Sequence, residues 1–200
     1  MDIARDVAEL LTGHPLVDRV ELIGSRADGN AHELSDWDFL VETGDFASLA
    51  DDLPRLVEPL GPIAAQWDRY ADHACYMLML RGPVKVDLIF PGQPQSWAPP
   101  WEVSAETRPA IEAHFWDWIL WLEQKRRHGR DEIVGKSLGD MFRLMLAPMG
   151  AQTAPASVDE ALELYIDLRE QLERRLGVEV PRELEAEVAP VVARRGPRRA

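Results

Sequence analysis

A proline-rich segment, residues 91–100, divides this sequence into two parts with different patterns. Proline removes a backbone hydrogen-bond donor and fixes one backbone angle, so neither a regular helix nor a strand is expected there. Alternating strand patterns occur only before this segment, and helical patterns alone follow it. The sequence therefore predicts an α+β domain over residues 1–95, a C-terminal helical bundle domain over 101–195 and a tail over 196–200.

The N-terminal part mixes helical and strand patterns. Apolar residues at helical spacing predict one helix that ends at Gly13. A second helix is predicted over residues 46–60, where Pro54 and Pro59 make it short or broken. Runs rich in apolar residues predict strands over 17–23, 35–41, 63–70, 75–80 and 84–90.

The C-terminal part contains residues that start and end helices. Ser157 followed by Glu160 is a capping box that starts a helix, and Gly177 ends it. No strand pattern occurs in this part, so it is expected to be helical throughout. Apolar residues at helical spacing predict a helix along 111–122 that Gly129 ends and another along 134–145 that Pro148 and Gly150 end. A weaker helix is predicted from 181 to 192.

Composition excludes several classes of protein. Apolar residues make up 46% of the chain, which is enough to fill a core and excludes a disordered protein. No apolar run reaches the roughly 18 residues of a membrane-spanning helix, and the charged first fifteen residues are not expected to form a signal peptide. The single cysteine, Cys75, excludes an internal disulfide and a cysteine-cluster metal site. A cytoplasmic protein without a membrane partner is expected.

The net charge of the chain is −13, from 22 basic and 35 acidic residues. A protein this acidic repels phosphodiester backbones, because nucleic-acid affinity depends on neutralising phosphates. Nucleic acid is therefore not an expected partner, whereas cationic small molecules would be concentrated near clefts. Glu102, Glu106 and Glu112 are candidates to line such a cleft, or else they form an ordinary charged helix face.

The most informative segment joins the first two predicted strands. Gly24-Ser25 follows the first strand, ten residues intervene, and Asp36-x-Asp38 lies within the second. Glycine lets the backbone approach a ligand closely, and Ser25 offers a hydroxyl and amides at the start of a helix, where phosphates bind. Because alternate strand residues share a face, both carboxylates project together and suit a divalent ion that carries a triphosphate.

A third carboxylate occurs in the strand predicted over 84–90. Its even-numbered residues are apolar and suit a buried face, whereas Lys85 and Asp87 point the other way. An acid within an apolar strand is costly unless it binds something. If this strand neighbours the one with Asp36 and Asp38, three carboxylates converge, and a metal ion there would offset their repulsion.

These features also have an ordinary structural interpretation. Gly24-Ser25 would then be a simple turn. Asp36 and Asp38 would be solvent-facing residues of an edge strand, and Asp87 would be a surface residue of a half-buried strand. Their combination, at this spacing and between predicted strands, favours the functional interpretation.

Gly24-Ser25, Asp36-x-Asp38 and the later strand with Asp87 resemble the motif of the nucleotidyltransferase superfamily related to DNA polymerase β. The resemblance covers about the first ninety residues. The helical part resembles, in size and order, the C-terminal bundles of small aminoglycoside and lincosamide nucleotidyltransferases. The resemblance implies a nucleotidyltransferase-like mixed sheet with helices, followed by a C-terminal helical bundle domain.

The resemblance implies a role for each residue of the motif. Gly24 and Ser25 would contact the terminal phosphates of a nucleoside triphosphate, which is the co-substrate. Asp36 and Asp38 would hold catalytic Mg²⁺, with two ions expected. Asp87 would be a third metal ligand or the base for the acceptor hydroxyl.

Two basic residues are further candidates for nucleotide binding. Arg26 follows the Gly-Ser pair, where its charge could reach the triphosphate, and the alternative is an ordinary surface arginine. Lys136 lies near the start of the second helix of the C-terminal part. It could close over the triphosphate, and the alternative is a solvated helical lysine.

The resemblance implies transfer of a nucleoside monophosphate from a nucleoside triphosphate to a hydroxyl group, with release of pyrophosphate. A small cationic acceptor such as an aminoglycoside fits the net charge, and antibiotic resistance would then be the biological role. Two alternatives are a nucleotidyltransferase of antitoxin type that modifies a partner protein and a nucleotide-binding module without turnover. A homodimer that completes the site is left open.

Overall fold

The computed structural model describes residues 2–93 and 99–194 and divides the chain into two compact units, residues 1–98 and 99–200. Residues 94–98 of the predicted linker and the predicted tail lie outside the described residues. The domain boundaries that the sequence predicts stay predictions. No helix within the described residues combines the length and the apolar character needed to cross a bilayer.

The first unit combines helices with strands. Its described elements, in chain order, are α1 (Ile3–Thr12), β1 (Arg19–Ile23), α2 (Gly24–Ala27), β2 (Trp37–Glu42), α3 (Phe46–Leu56), β3 (Ala64–Trp67), β4 (Ala74–Leu80) and β5 (Val84–Phe90). The mixed α+β character that the sequence predicts for this part is confirmed.

The described strands form one five-stranded sheet in the order β1–β2–β5–β4–β3. β2 and β5 run parallel, whereas the other neighbouring pairs run antiparallel. A parallel pair needs a long crossover connection, and here that connection contains α3, β3 and β4. β2 pairs with a neighbour on each side, so it is not an edge strand. The ordinary interpretation takes Asp36 and Asp38 as residues of an edge strand, and the structure does not support that premise.

One face of the sheet carries the hydrophobic core of this unit. Alternate residues of β2, β4 and β5 join apolar residues of α1 and α3 in a single buried cluster. Residues 85 and 87 of β5 therefore lie on the opposite face, as their alternation predicts. The cluster consists of Val7, Leu11, Phe39, Val41, Leu49, Leu53, Val57, Leu60, Ala74, Tyr76, Leu78, Leu80, Val86, Leu88 and Phe90.

The helix predicted over residues 46–60 is divided in two. α3 continues through Pro54 and ends at Leu56, and a 3-10 turn, Glu58–Leu60, follows. Gly61 closes that turn in a left-handed conformation with a φ of 62°. The expectation of a short or broken helix is confirmed, although the break follows Pro54 rather than coinciding with it.

The strand predicted over residues 63–70 is shorter in the structure, where β3 ends at Trp67. Asp68 Oδ1 accepts hydrogen bonds from the backbone N–H groups of Tyr70 and Ala71, at 2.9 and 3.1 Å. An aspartate that bonds the backbone ahead of it forms a turn, so it competes with further strand pairing.

The second unit is helical over its described residues, as the sequence predicts. Its elements are α4 (Arg108–Arg127), α5 (Asp131–Met141), α6 (Ala147–Met149), α7 (Val158–Leu176) and α8 (Glu183–Ala193). A π-helical segment, Phe142–Leu146, joins α5 to α6. Within this segment the backbone oxygen of Leu144 accepts a hydrogen bond from the Trp101 N–H at 2.9 Å. This bond connects the chain before α4 to the π-helical segment.

Both ends of α7 match the sequence prediction. The Ser157 hydroxyl accepts a hydrogen bond from the Glu160 N–H at 3.1 Å. The Glu160 carboxylate accepts from the Ala156 N–H at 2.7 Å, one residue earlier than in a standard capping box. Gly177 ends the helix with a left-handed φ of 67°.

A buried ionic cluster lies among α4, α7 and α8. Glu112 is 3% exposed, and its carboxylate accepts hydrogen bonds from Trp116 Nε1, Tyr165 Oη and Arg169 Nη1. Arg169 Nη1 also donates to Glu185 at 2.7 Å. The expectation that Glu112 lines a cleft or an exposed helix face is therefore wrong, because its carboxylate is bonded to donors of the helical core.

Candidate functional site

Strand pairing brings the three predicted carboxylates together. β2 and β5 pair in parallel with Asp38 opposite Asp87, and Asp36 directly precedes β2. One carboxylate oxygen from each of the three residues lies within 4.8 Å of the others. All three side chains are half-buried. The sequence leaves open whether the two strands are neighbours, and the structure shows that they are. The chemical roles of the three residues stay predictions.

The donor set of this acidic cluster, Asp36, Asp38 and Asp87, fits a hard divalent cation. Mg²⁺ binds oxygen ligands at about 2.1 Å, so opposite ligands of an octahedral ion lie about 4.2 Å apart. Adjacent ligands lie closer, about 3.0 Å apart, and three oxygens within 4.8 Å of one another are near enough for side-chain rotation to bring them to a single ion. Three carboxylates at this distance also repel one another, and a divalent cation would relieve that repulsion.

A fourth charged residue, Lys85, belongs to the same group. Its Nζ lies 3.3 Å from Asp87 Oδ2, and its side chain is 8% exposed. The sequence places Lys85 on the face of Asp87 but does not indicate that the two form a buried ion pair. The spacing of two residues on one strand is the local feature that could have indicated it.

Gly24 makes a close approach to the acidic cluster. It has a φ of +69°, in the left-handed region that favours glycine. A Cβ atom at this position would lie 2.5 Å from Asp38 Oδ2, so the Asp38 carboxylate would have to move away. The sequence predicts that glycine leaves space for a ligand here, and the structure adds that the nearest neighbour is the Asp38 carboxylate.

Ser25 lies in a single turn of helix at the end of β1. α2 begins at Gly24 and has only four residues, and Ile23 provides no side-chain cap for its first N–H groups. The Ser25 side chain is half-buried, and its backbone oxygen accepts a hydrogen bond from the Asn30 N–H at 2.9 Å. The helix start that the sequence predicts is confirmed, and the predicted contact of Gly24 and Ser25 with phosphates stays a prediction.

Arg26 contacts the chain just before β2. Its Nε and Nη2 donate to the Ser35 carbonyl at 3.0 and 2.6 Å, and Nε also donates to the Asp36 carbonyl at 3.1 Å. Its guanidinium lies 4.0 Å from the centroid of the Trp37 ring. Burial lowers the pKa of Arg26, and the carboxylates of Asp36 and Asp38 oppose that shift. The predicted contact with a triphosphate stays a prediction, and the observed contacts position Asp36.

The segment before Asp36 is closed by a second set of hydrogen bonds. Ser35 is 5% exposed, and its hydroxyl accepts from the His32 N–H at 2.8 Å. The Ser35 N–H in turn donates to the His32 carbonyl at 3.0 Å. Together with Arg26, these bonds determine where β2 starts and therefore where the first carboxylate of the cluster lies.

The predicted site residue of the second unit, Lys136, lies on α5 and is exposed. Glu102 and Glu106, which the sequence suggests for a cationic ligand, are exposed as well. The predicted contact between Lys136 and a triphosphate stays a prediction.

No family model and no curated protein matches the sequence. Among solved structures, the crystal structure of an aminoglycoside 6-adenyltransferase from Bacillus subtilis is similar to this chain with a TM-score of 0.32 and 11% sequence identity. The match covers 96% of this chain and 95% of that chain. A TM-score this low carries no argument about the fold or the activity of this chain.

Proposed function

We propose that this chain is a magnesium-dependent nucleotidyltransferase that moves a nucleoside monophosphate from a nucleoside triphosphate to a hydroxyl group of a small cationic acceptor. The observation that carries the proposal is the convergence of Asp36, Asp38 and Asp87 beside Gly24. β2 and β5, which residues 43–83 separate in the chain, bring these residues together in the combination that resembles the nucleotidyltransferase motif.

In this proposal Asp36, Asp38 and Asp87 hold Mg²⁺, with two ions expected, and Gly24 and Ser25 contact the phosphates. Bound Mg²⁺ supplies positive charge that neutralises the triphosphate and stabilises the leaving pyrophosphate. The protein's own part is to orient the carboxylates, which strand pairing and the Arg26 hydrogen bonds achieve.

The reaction makes one bond and breaks one. The acceptor hydroxyl oxygen bonds to the α-phosphorus while the bond from that phosphorus to the oxygen bridging the β-phosphate breaks, and pyrophosphate leaves. In the alternative role that the sequence leaves open for Asp87, its carboxylate accepts the hydroxyl proton instead of serving as a third metal ligand. Most of the catalytic effect then comes from positioning and charge stabilisation.

The net charge of −13 supports a cationic acceptor such as an aminoglycoside and argues against nucleic acid. The proposal also includes a contact between Lys136 and the nucleotide and a role in antibiotic resistance. Whether a homodimer completes the site is left open. The alternatives are transfer to a partner protein and nucleotide binding without turnover.

The test uses ATP, GTP, CTP and UTP, each labelled on the α-phosphate, with Mg²⁺ and a panel of aminoglycosides and lincosamides. Cell extract is included as a source of other acceptors. Asp38→Asn is the test variant, and Asp51→Asn, on the exposed face of α3, is the matched control. We expect label on a small molecule, lost by roughly 100-fold or more in Asp38→Asn and retained in Asp51→Asn.

Each other outcome has a defined meaning. Label on a protein band would replace the small acceptor by a partner protein. Absence of label, together with Mg²⁺-dependent binding of a nucleotide by equilibrium dialysis, would favour the binding module. Absence of both label and binding would contradict the proposal.

A further inference from the structure

A cation that belongs to the protein is already in contact with the acidic cluster. Lys85 Nζ lies 3.3 Å from Asp87 Oδ2, and the two side chains are only 8% and 13% exposed. Both residues belong to β5 and share the face opposite the hydrophobic core. A buried ammonium group is unfavourable unless it is paired, so this position requires a nearby carboxylate.

The same carboxylate belongs to the group that can hold a divalent ion. Asp87 contributes an oxygen within 4.8 Å of oxygens of Asp36 and Asp38. An ammonium group and a divalent cation are both attracted to this carboxylate, and they repel each other. The formal charge of the three carboxylates with Lys85 is −2, one less negative than that of the carboxylates alone.

We propose that Lys85 is a positioning residue that holds the Asp87 carboxylate in the acidic cluster when no metal ion is bound and competes with the metal ion for it. This inference rests on the proposed function only in that the cluster binds a divalent ion. Lys85 thereby stabilises the metal-free protein and weakens the binding of the ion. A purely structural lysine would stabilise the metal-free protein without weakening the binding of the ion.

The test measures Mn²⁺ binding without nucleotide, by titration calorimetry, and the Tm with and without Mn²⁺. Lys85→Met removes the charge and keeps most of the length of the unbranched side chain, Lys85→Gln is a second neutral variant, and Lys85→Arg keeps the charge. Arg174→Met removes one charge from an exposed helix position, where the arginine side chain is 69% exposed, and controls for net charge.

We expect Lys85→Met to bind Mn²⁺ about fivefold or more tightly than the original protein, because one unit charge at contact distance accounts for at least that factor even in water. Its Tm should be lower without Mn²⁺, and Mn²⁺ should raise that Tm by more than it raises the Tm of the original protein. Lys85→Arg and Arg174→Met should bind Mn²⁺ within about twofold of the original protein.

Equal or weaker Mn²⁺ binding by Lys85→Met would overturn the inference, and Lys85→Gln decides the matter if Lys85→Met does not fold. Equal or weaker binding by Lys85→Met leaves the proposed function intact if the original protein binds Mn²⁺ and Asp38→Asn does not. Tighter binding by Lys85→Met in a protein that transfers no label would support the inference and contradict the proposed activity. No Mn²⁺ binding by any variant would overturn both.

Discussion

Gly24 and Asp38 are so close that a single added carbon atom would disturb them. A Cβ atom at Gly24 would lie 2.5 Å from Asp38 Oδ2, and the φ of Gly24 is +69°. The preceding residue, Ile23, pairs with Asp38 across β1 and β2, so the approach follows from the strand register. Glycine at this position therefore allows the left-handed backbone conformation and leaves space for the Asp38 carboxylate of the acidic cluster.

Gly24→Ala should reduce metal binding by more than its effect on stability explains. The left-handed backbone costs alanine about 1–2 kcal/mol of stability, and the new methyl group displaces the Asp38 carboxylate. Gly29→Ala is a matched control, because Gly29 has a φ of +72° and no atom would lie within 4 Å of its Cβ. We expect both variants to lose similar stability in urea unfolding, whereas only Gly24→Ala binds Mn²⁺ roughly tenfold more weakly. Equal Mn²⁺ affinities would contradict this expectation.

Arg26→Lys should loosen the start of β2 although it keeps the positive charge. Lysine has one nitrogen in place of the planar pair, Nε and Nη2, that bonds the carbonyls of Ser35 and Asp36, and it stacks less well on Trp37. We expect a loss of about 1–2 kcal/mol in the free energy of unfolding and weaker Mn²⁺ binding. If Arg26 acts instead as a triphosphate ligand, Mn²⁺ binding will be unchanged and the KM for the nucleotide will rise.

Tyr165→Phe should destabilise the helical unit at neutral pH. The Tyr165 hydroxyl donates to the buried Glu112 carboxylate, which phenylalanine cannot do. A buried charged acceptor that loses one donor costs about 1–3 kcal/mol. Urea unfolding at pH 8 measures the loss, and an unchanged free energy of unfolding would mean that the other donors, Trp116 and Arg169, suffice.

The same variant should reduce the pH dependence of stability in alkali. Burial, followed by the Glu112 charge, raises the pKa of Tyr165 well above its usual value near 10. Above about pH 10 the unfolded chain therefore loses the Tyr165 proton while the folded chain keeps it, so stability falls as the pH rises. Tyr70 and Tyr76 also have pKa values raised by burial and contribute in both proteins. We expect a shallower fall in Tyr165→Phe, measured by unfolding at a series of pH values, and identical slopes would contradict it.

Ser157→Ala should cost about 1 kcal/mol of stability, because the Ser157 hydroxyl accepts the Glu160 N–H at the start of α7. Ser157→Asn keeps an acceptor at the same position and should be close to neutral. Thermal unfolding followed by circular dichroism compares the two variants. Equal losses in both would show that the hydroxyl does not act as the cap.

Features that depend on neighbouring residues could be predicted from the sequence. Ser157 and Gly177 mark the start and the end of α7, as the sequence predicts. Such ends can be predicted because helix capping involves residues only a few positions apart. The alternation in 84–90 placed Lys85 and Asp87 on one face because side chains of a strand alternate. The boundary at Trp67 was missed, because the turn made by Asp68 competes with a strand pattern that continues beyond it.

Features that depend on long-range pairing could not be predicted in the same way. The sequence shows that Lys85 and Asp87 share a face but not that both are largely buried and paired. It also gives Glu112 the spacing of an ordinary helix residue, whereas packing of α7 places the Tyr165 hydroxyl and the Arg169 guanidinium against its carboxylate. Burial of a charged group depends on which partners the fold brings to it, and those partners lie 53 and 57 residues away in the chain.

The sequence alone determined the two kinds of unit, both ends of α7, and the identity of the three aspartates whose carboxylates lie together. Only the tertiary structure decided that β2 and β5 lie side by side in parallel, with Asp38 opposite Asp87 and Gly24 against the Asp38 carboxylate. The physical reason is that periodicity and capping are local properties of the chain. Strand order and burial, by contrast, are set by the free energy of the whole packed unit.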